Sequence, residues 1–194
     1  MQVFHGPRRV QHVAAFSQTS DFLIDRVASF VSEGLAAGEQ VIVLATLPHW
    51  NAVAARLEAG GIDNGRASAE GRLVLIDADE VLESITEDGH VGVDRFRAML
   101  SALISPARTQ RIYGELVSLL VQRGELDTAI AIEALGQELS ETMHVRVLCG
   151  YHAPPGSLAA DAVARIERVH DHSVFQGQAD ASTNEPDAKD PLSV

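Results

Sequence analysis

Lysine is almost missing from this chain of 194 residues: the sole one is Lys189, near the C-terminal end. The body of the sequence therefore cannot supply a P-loop lysine or a Schiff-base lysine, and self-sufficient ATP hydrolysis is not expected. Cysteine is as scarce, and the single thiol, Cys149, cannot close an internal disulfide. Aromatic residues make up 5%, and positive charge trails negative, with 15 Lys plus Arg against 27 Asp plus Glu and a formal net charge of -12. That balance repels phosphate backbones and anionic lipid, so neither nucleic acid nor a membrane is expected as a direct partner. No apolar run reaches the length of a bilayer span, and the opening residues Met1-Gln2-Val3-Phe4-His5-Gly6-Pro7-Arg8-Arg9 lack the apolar stretch of a secretory signal, so a cytoplasmic location is expected.

What the chain has in quantity is Val, Leu, Ile and Ala, within an apolar content of 46%. This is the usual filling of a sheet covered by helices. Strand-like apolar runs recur at 10–16, 40–46, 72–77, 111–115, 145–151 and, more weakly, 172–175, with helical periodicity between them. The first helix reads most clearly: Thr19, Ser20 or Asp21 caps it, Phe22, Leu23, Val27, Phe30, Val31 and Leu35 form one stripe, and Gly38 stops it. Pro48 suits the first turn of a second helix ending near Leu57, before Gly60-Gly61, and further helices are read at 91–105, 126–143 and 157–169. Strand-helix-strand units imply parallel pairing. The expected fold is thus a three-layer α/β domain, a mostly parallel sheet of about six strands with helices on both faces, over 10–176. An N-terminal extension at 1–9 and a polar, disordered tail at 177–194 flank it.

In such a sheet, ligands bind outside the carboxyl ends of the strands, which here carry Ser17, Thr46, Asp77, Glu115 and Tyr151. The turn Thr46-Leu47-Pro48-His49-Trp50 after the second strand has no glycine and no lysine with which to cradle a phosphate. No H-E-x-x-H, C-x-x-C or G-x-S-x-G string occurs. Glu115 ends the fourth run, where a carboxylate faces the crevice; a ligand contact and a capping or salt-bridged role both stay open. His12, inside the first run, reads as a hydrogen-bonded core histidine or a site residue, and Trp50 as core packing or the floor of an apolar pocket. Cys149 and Tyr151, two apart, share a face, with Tyr151 nearer the crevice and the thiol read as inert filling. His170-x-His172 reads as a solvated junction; no metal and no cofactor are expected.

The order of these residues resembles a known family. His12-Val13-Ala14-Ala15-Phe16 before a capped helix, Gly38-Glu39-Gln40 before the second strand, Gly114-Glu115, Cys149-Gly150-Tyr151 and the closing Val169-His170-Asp171-His172-Ser173-Val174 look like the MEDS domain, the methanogen/methylotroph DcmR sensory domain, from about Val10 to Phe175. The resemblance implies a RecA- or KaiC-like fold whose phosphate loop has been lost. It also implies sensing of small organic compounds, including hydrocarbon derivatives, beside DNA-binding or histidine-kinase modules or alone. Ser17 stands where that family often has a tyrosine, and Leu116 where a methionine is common.

The expectation is therefore a non-enzymatic sensory domain that binds a small organic molecule through His12, Ser17, Thr46, Trp50, Glu115 and Tyr151. It would pass its state to a regulatory partner such as a kinase, a transcription regulator or an anti-sigma factor, with a homo-oligomer left open. Two alternatives stand beside it: a degenerate nucleotide-binding protein without hydrolysis, and a ligand-free interaction regulator. An enzyme would have to draw on Glu115, His12 and Tyr151.

Overall fold

The computed structural model describes residues 11–177. The expected extension at 1–9 and the tail beyond Gly177, Lys189 included, lie outside the described residues. Within them, strands and helices alternate in the order β1 (His12–Ser17), α1 (Ser20–Ala36), β2 (Gln40–Ala45), α2 (Leu47–Ala59), α3 (Asn64–Ala69), β3 (Leu73–Asp77), α4 (Ala78–Ile85), β4 (Thr86–Glu87), β5 (His90–Val91), α5 (Val93–Leu103), β6 (Gln110–Gly114), α6 (Leu116–Gln122), α7 (Leu126–Met143), β7 (Arg146–His152), α8 (Ala160–Glu167) and β8 (His172–Phe175). Among the described residues no helix is long and apolar enough to cross a membrane.

Six strands form one sheet in the order β3-β2-β6-β7-β1-β8, and every neighbouring pair is parallel. The strands read as unbroken apolar runs because both faces are covered. Alternate side chains feed two cores. Val13, Ala15, Val41, Val43 and Tyr113 pack with Leu23, Val27 and Val31 of α1, with Trp50, Val53 and Leu57 of α2, and with Ala67 of α3. Ala14, Phe16, Ile42, Leu44, Cys149 and Tyr151 pack with α4, α5, α6, α7 and Ile166 of α8 on the other side. The expected three-layer α/β architecture is what the chain adopts.

Four elements were not anticipated, α3, α4, β4 and β5. Asp63 caps α3, its side chain accepting from the Arg66 N–H at 2.8 Å, and Asp77 closes β3 and caps α4 by accepting from the Asp79 N–H at 2.9 Å. β4 and β5 pair antiparallel across Asp88-Gly89, whose φ angles of 51° and 77° are those of a tight hairpin turn.

The connections place the candidate crevice. The helices after β1 and β2 pack on one face, while those after β6 and β7 pack on the other. Adjacent strands β2 and β6, and likewise β7 and β1, therefore send their chains to opposite faces, which opens a crevice at their carboxyl ends.

Candidate functional site

Glu115 opens α6 but does not cap it with its side chain. The carboxylate reaches across the β2/β6 crevice instead. Its Oε1 accepts from the Thr46 backbone N–H at 2.5 Å, and its Oε2 meets His49 Nδ1 and accepts from the Tyr113 hydroxyl at 3.2 Å. Of the readings left open by the sequence, self-capping drops out and the salt-bridged one is met by His49, beside a pocket that keeps the ligand contact open. Burial on its own would push the Glu115 carboxyl up; the hydrogen bond and charge of His49, with the Thr46 N–H, outweigh it and hold the carboxyl below its ordinary range. Tyr113 moves the other way, since burial and then the neighbouring Glu115 charge raise its hydroxyl well above its ordinary value.

Thr46 is the N-cap of α2, so its N–H belongs to the positive end of that helix. The Glu115 carboxylate thus occupies a position where an anionic ligand would otherwise sit. Beside it opens a pocket of about 340 Å³, lined by Leu23 and Ile24 of α1, Pro48, His49 and Ala52 of α2, Glu115, Ser118 and Leu119 at the start of α6, and Gly150 and His152 of β7. The lining is largely apolar with a few convergent polar groups, as in small-molecule sites. His49 Nε2 is buried and has no hydrogen-bond partner among the described residues.

The six residues read as ligand-binding separate. Thr46 and Glu115 line this pocket. Trp50 does not: it faces the α1/α2 core, because its position one turn into α2 points the indole at the sheet. Ser17 ends β1 in a turn held by Gln176, next to a separate depression formed with Pro154 and Pro155. His12 and Tyr151 lie on the opposite face of the sheet, in the layer of α7. Tyr151 does not line this pocket, since strand alternation turns its neighbours Gly150 and His152 towards it, but it lines an adjoining depression with Ser118, His152 and Leu158.

Around Glu133 of α7 those two residues form a second constellation. The carboxylate is 1% exposed, and its Oε1 accepts from the Tyr151 hydroxyl. Its Oε2 accepts from Cys149 Sγ at 3.0 Å and lies 3.1 Å from His12 Nε2 and 3.4 Å from His170 Nε2. Burial would raise the Glu133 carboxyl, but the two histidines drive it far below its ordinary range, while burial and then the Glu133 charge raise the Cys149 thiol. Cys149 is thus a donor in a network rather than inert filling. The expected solvated junction at His170 is also corrected: its side chain is closed off from solvent and lies against His12, with ring centroids 4.0 Å apart and planes tilted by 33°. Sequence reasoning passed over His49 and Glu133 and weighed His170 only as a solvated junction and in the closing strand of the resemblance. The signal for Glu133 was a lone carboxylate on the inward stripe of α7, among Ala129, Ile132 and Leu135.

The sequence pattern of the family described as MEDS, MEthanogen/methylotroph, DcmR Sensory domain, matches residues 11–171. No curated protein matches the chain.

Proposed function

We propose, from the premise that this chain belongs to the MEDS family of sensory domains, that it binds a small, uncharged or weakly polar organic molecule in the pocket beside Glu115 and His49. It then passes its state to a regulatory partner. The observation that carries this reading is the Glu115 carboxylate seated on the Thr46 N–H at the edge of a largely apolar pocket. The anion position at the start of α2 is filled from within the chain, and a phosphate brought there would meet a buried negative charge. The unpartnered His49 Nε2 is a natural partner for a ligand hydroxyl, which can both donate and accept.

The reading as a RecA/KaiC-like scaffold with a lost phosphate loop belongs to the same proposal. It is supported by the two crevices of the parallel sheet and by the turns that open on them: neither residues 17–20 nor residues 46–49 contain a glycine or a lysine. The degenerate nucleotide-binding alternative fits less well, because Glu115 opposes the phosphates. No catalytic role is assigned, and a kinase, a transcription regulator or an anti-sigma factor is the kind of partner the reading implies.

The test is a thermal-shift and calorimetric screen of the full chain against short alcohols, ketones, halogenated hydrocarbons and nucleotides. A ligand that binds the folded state raises the melting temperature by mass action. We expect a hit among the organic compounds that is lost in a His49→Ala variant that still folds. Binding confined to ATP or GTP would establish the nucleotide alternative, and no hit in either set would leave the interaction regulator.

A further inference from the structure

The cluster around Glu133 has no part in the pocket beside Glu115, and it gathers two imidazole nitrogens, a thiol and a carboxylate oxygen at one point. His170 Nδ1 donates to the Ile166 carbonyl at 2.7 Å, an oxygen that can only accept. His12 Nδ1 is 3.1 Å from Gln137 Oε1, and that amide is oriented by its own Nε2 donating to Glu141 Oε1 at 2.7 Å, so His12 Nδ1 is a donor as well. Both rings then turn Nε2 to the same carboxylate oxygen, Glu133 Oε2. His170 Nε2 is buried and faces Glu133 Oε2 at 3.4 Å without a well-formed hydrogen bond. Two imidazole nitrogens and a thiol converging on one buried carboxylate oxygen call for positive charge between them, which ring protons or a bound cation can supply.

We propose that His12, Glu133, Cys149 and His170 form a tetrahedral site for a divalent first-row transition ion, zinc by preference. The donor set of two imidazoles, one thiolate and one carboxylate is of the kind zinc accepts. Ligands about 2.0 to 2.3 Å from a common centre stand about 3.3 to 3.7 Å apart at tetrahedral angles. The contacts of 3.0 to 3.4 Å, with all four ligand atoms inside 4.8 Å of one another, are close to a shell of that size, which an ion would complete by spreading the nearest pairs and drawing in the widest.

The second shell is already in place. Gln137 and the Ile166 carbonyl orient the two rings, and the Tyr151 hydroxyl holds Glu133 Oε1 so that Oε2 alone faces the centre. Gly136 supports the same geometry, since a Cβ there would stand 3.0 Å from His12 Nε2. On binding, the Cys149 S–H bond breaks, its proton leaves to solvent and sulfur bonds the metal. One thiolate and one carboxylate then neutralise a divalent ion, so no net charge is buried. Four protein ligands leave no open position, which makes the site structural or sensory rather than hydrolytic. Its ligands come from β1, α7, β7 and the α8–β8 junction, so the ion ties a helix layer to the sheet.

Metal content of the full purified chain and cobalt(II) titration of the chelated protein test the proposal. The expected result is a stoichiometric ion, and on cobalt loading a tetrahedral visible spectrum with a thiolate-to-cobalt charge-transfer band. Cys149→Ser should remove that band, and His170→Gln should weaken retention by about 10-fold or more. Absence of a stoichiometric ion together with an octahedral cobalt spectrum would overturn it. So would a spectrum unchanged by Cys149→Ser, which would place the ion elsewhere. Should a variant not fold, the charge-transfer band of the wild-type protein decides alone.

Discussion

A carboxylate that is almost wholly buried survives only by being better solvated by its neighbours than by water, and Glu115 meets that condition through Thr46, His49 and Tyr113. The sign of its pH dependence follows. Its folded-state carboxyl is held below the ordinary value of about 4.3, so the ionised form stabilises the fold at all pH values above that. The contribution is lost as pH falls below it and through the lower folded value. Glu115→Gln should lower the stability at pH 7 by about 1–3 kcal/mol. The gap to wild type should narrow as pH drops below about 4.3, read as parallel melting curves of the two proteins. A gap constant from neutral to strongly acid pH would show that Glu115 is not ionised in the fold. The same site rests on Gly150. A Cβ there would stand 2.4 Å from the Tyr113 hydroxyl, so Gly150→Ala should cost about 1–3 kcal/mol. Adding Tyr113→Phe, which removes the colliding oxygen, should return part of that loss. A double mutant whose loss is the plain sum of the two would exclude the collision as its cause.

At the scale of elements, α1 shows how a helix start is secured when its cap residue does not do it. Thr19 makes no side-chain cap bond. Gln176, just past β8, spans the gap: its Oε1 accepts from the Gln18 and Thr19 N–H groups at 2.8 and 3.1 Å, and its Nε2 donates to Thr19 Oγ1 at 3.0 Å. Gln176→Ala should therefore speed amide hydrogen exchange at Gln18, Thr19 and the first turn of α1 while leaving α7 unchanged, with a global loss of about 1 kcal/mol. Uniform exchange across both helices would contradict a local clamp. This contact joins residues far apart in the chain, and that distance marks what the sequence could reveal. The six strands of the main sheet were legible because burial on both faces writes each as an apolar run, and α1 because its stripe repeats at helical spacing. The α3 and α4 helices were not, being one or two turns long with Asp63 and Asp77 as their only punctuation. The Asp88-Gly89 turn was a sound hairpin signal, but strands of two residues carry no hydrophobic pattern. At the site, Glu115 was legible from its place at the end of β6. His49 was not, since 66 residues separate the pair and only the strand order brings them together. Glu133 and His170 escaped for the same reason, each meeting His12 and Cys149 from a different element.

On the scale of the whole molecule, the sheet is a common wall. Its strands send alternate side chains into two separate apolar layers, and neither layer can lose the sheet without exposing the other. A single cooperative unit is the physical consequence, with both cores melting together. The chain offers a probe for this in its one tryptophan, because Trp50 lies in the α1/α2 layer, whereas most of the helical signal in circular dichroism comes from the opposite side. Urea unfolding followed by Trp50 fluorescence and by circular dichroism should give superimposable transitions. Leu57→Ala in the tryptophan layer and Leu120→Ala in the other, both almost fully buried, should each shift both curves equally and cost about 2–5 kcal/mol. As the two leucines sit on opposite faces of the sheet and share no contact layer, the double mutant should equal their sum within about 0.5 kcal/mol. A fluorescence transition that Leu57→Ala moves while the dichroism curve stays in place would mean the layers unfold separately, and a signal received in the pocket beside Glu115 would then have no rigid sheet through which to reach the face of α7.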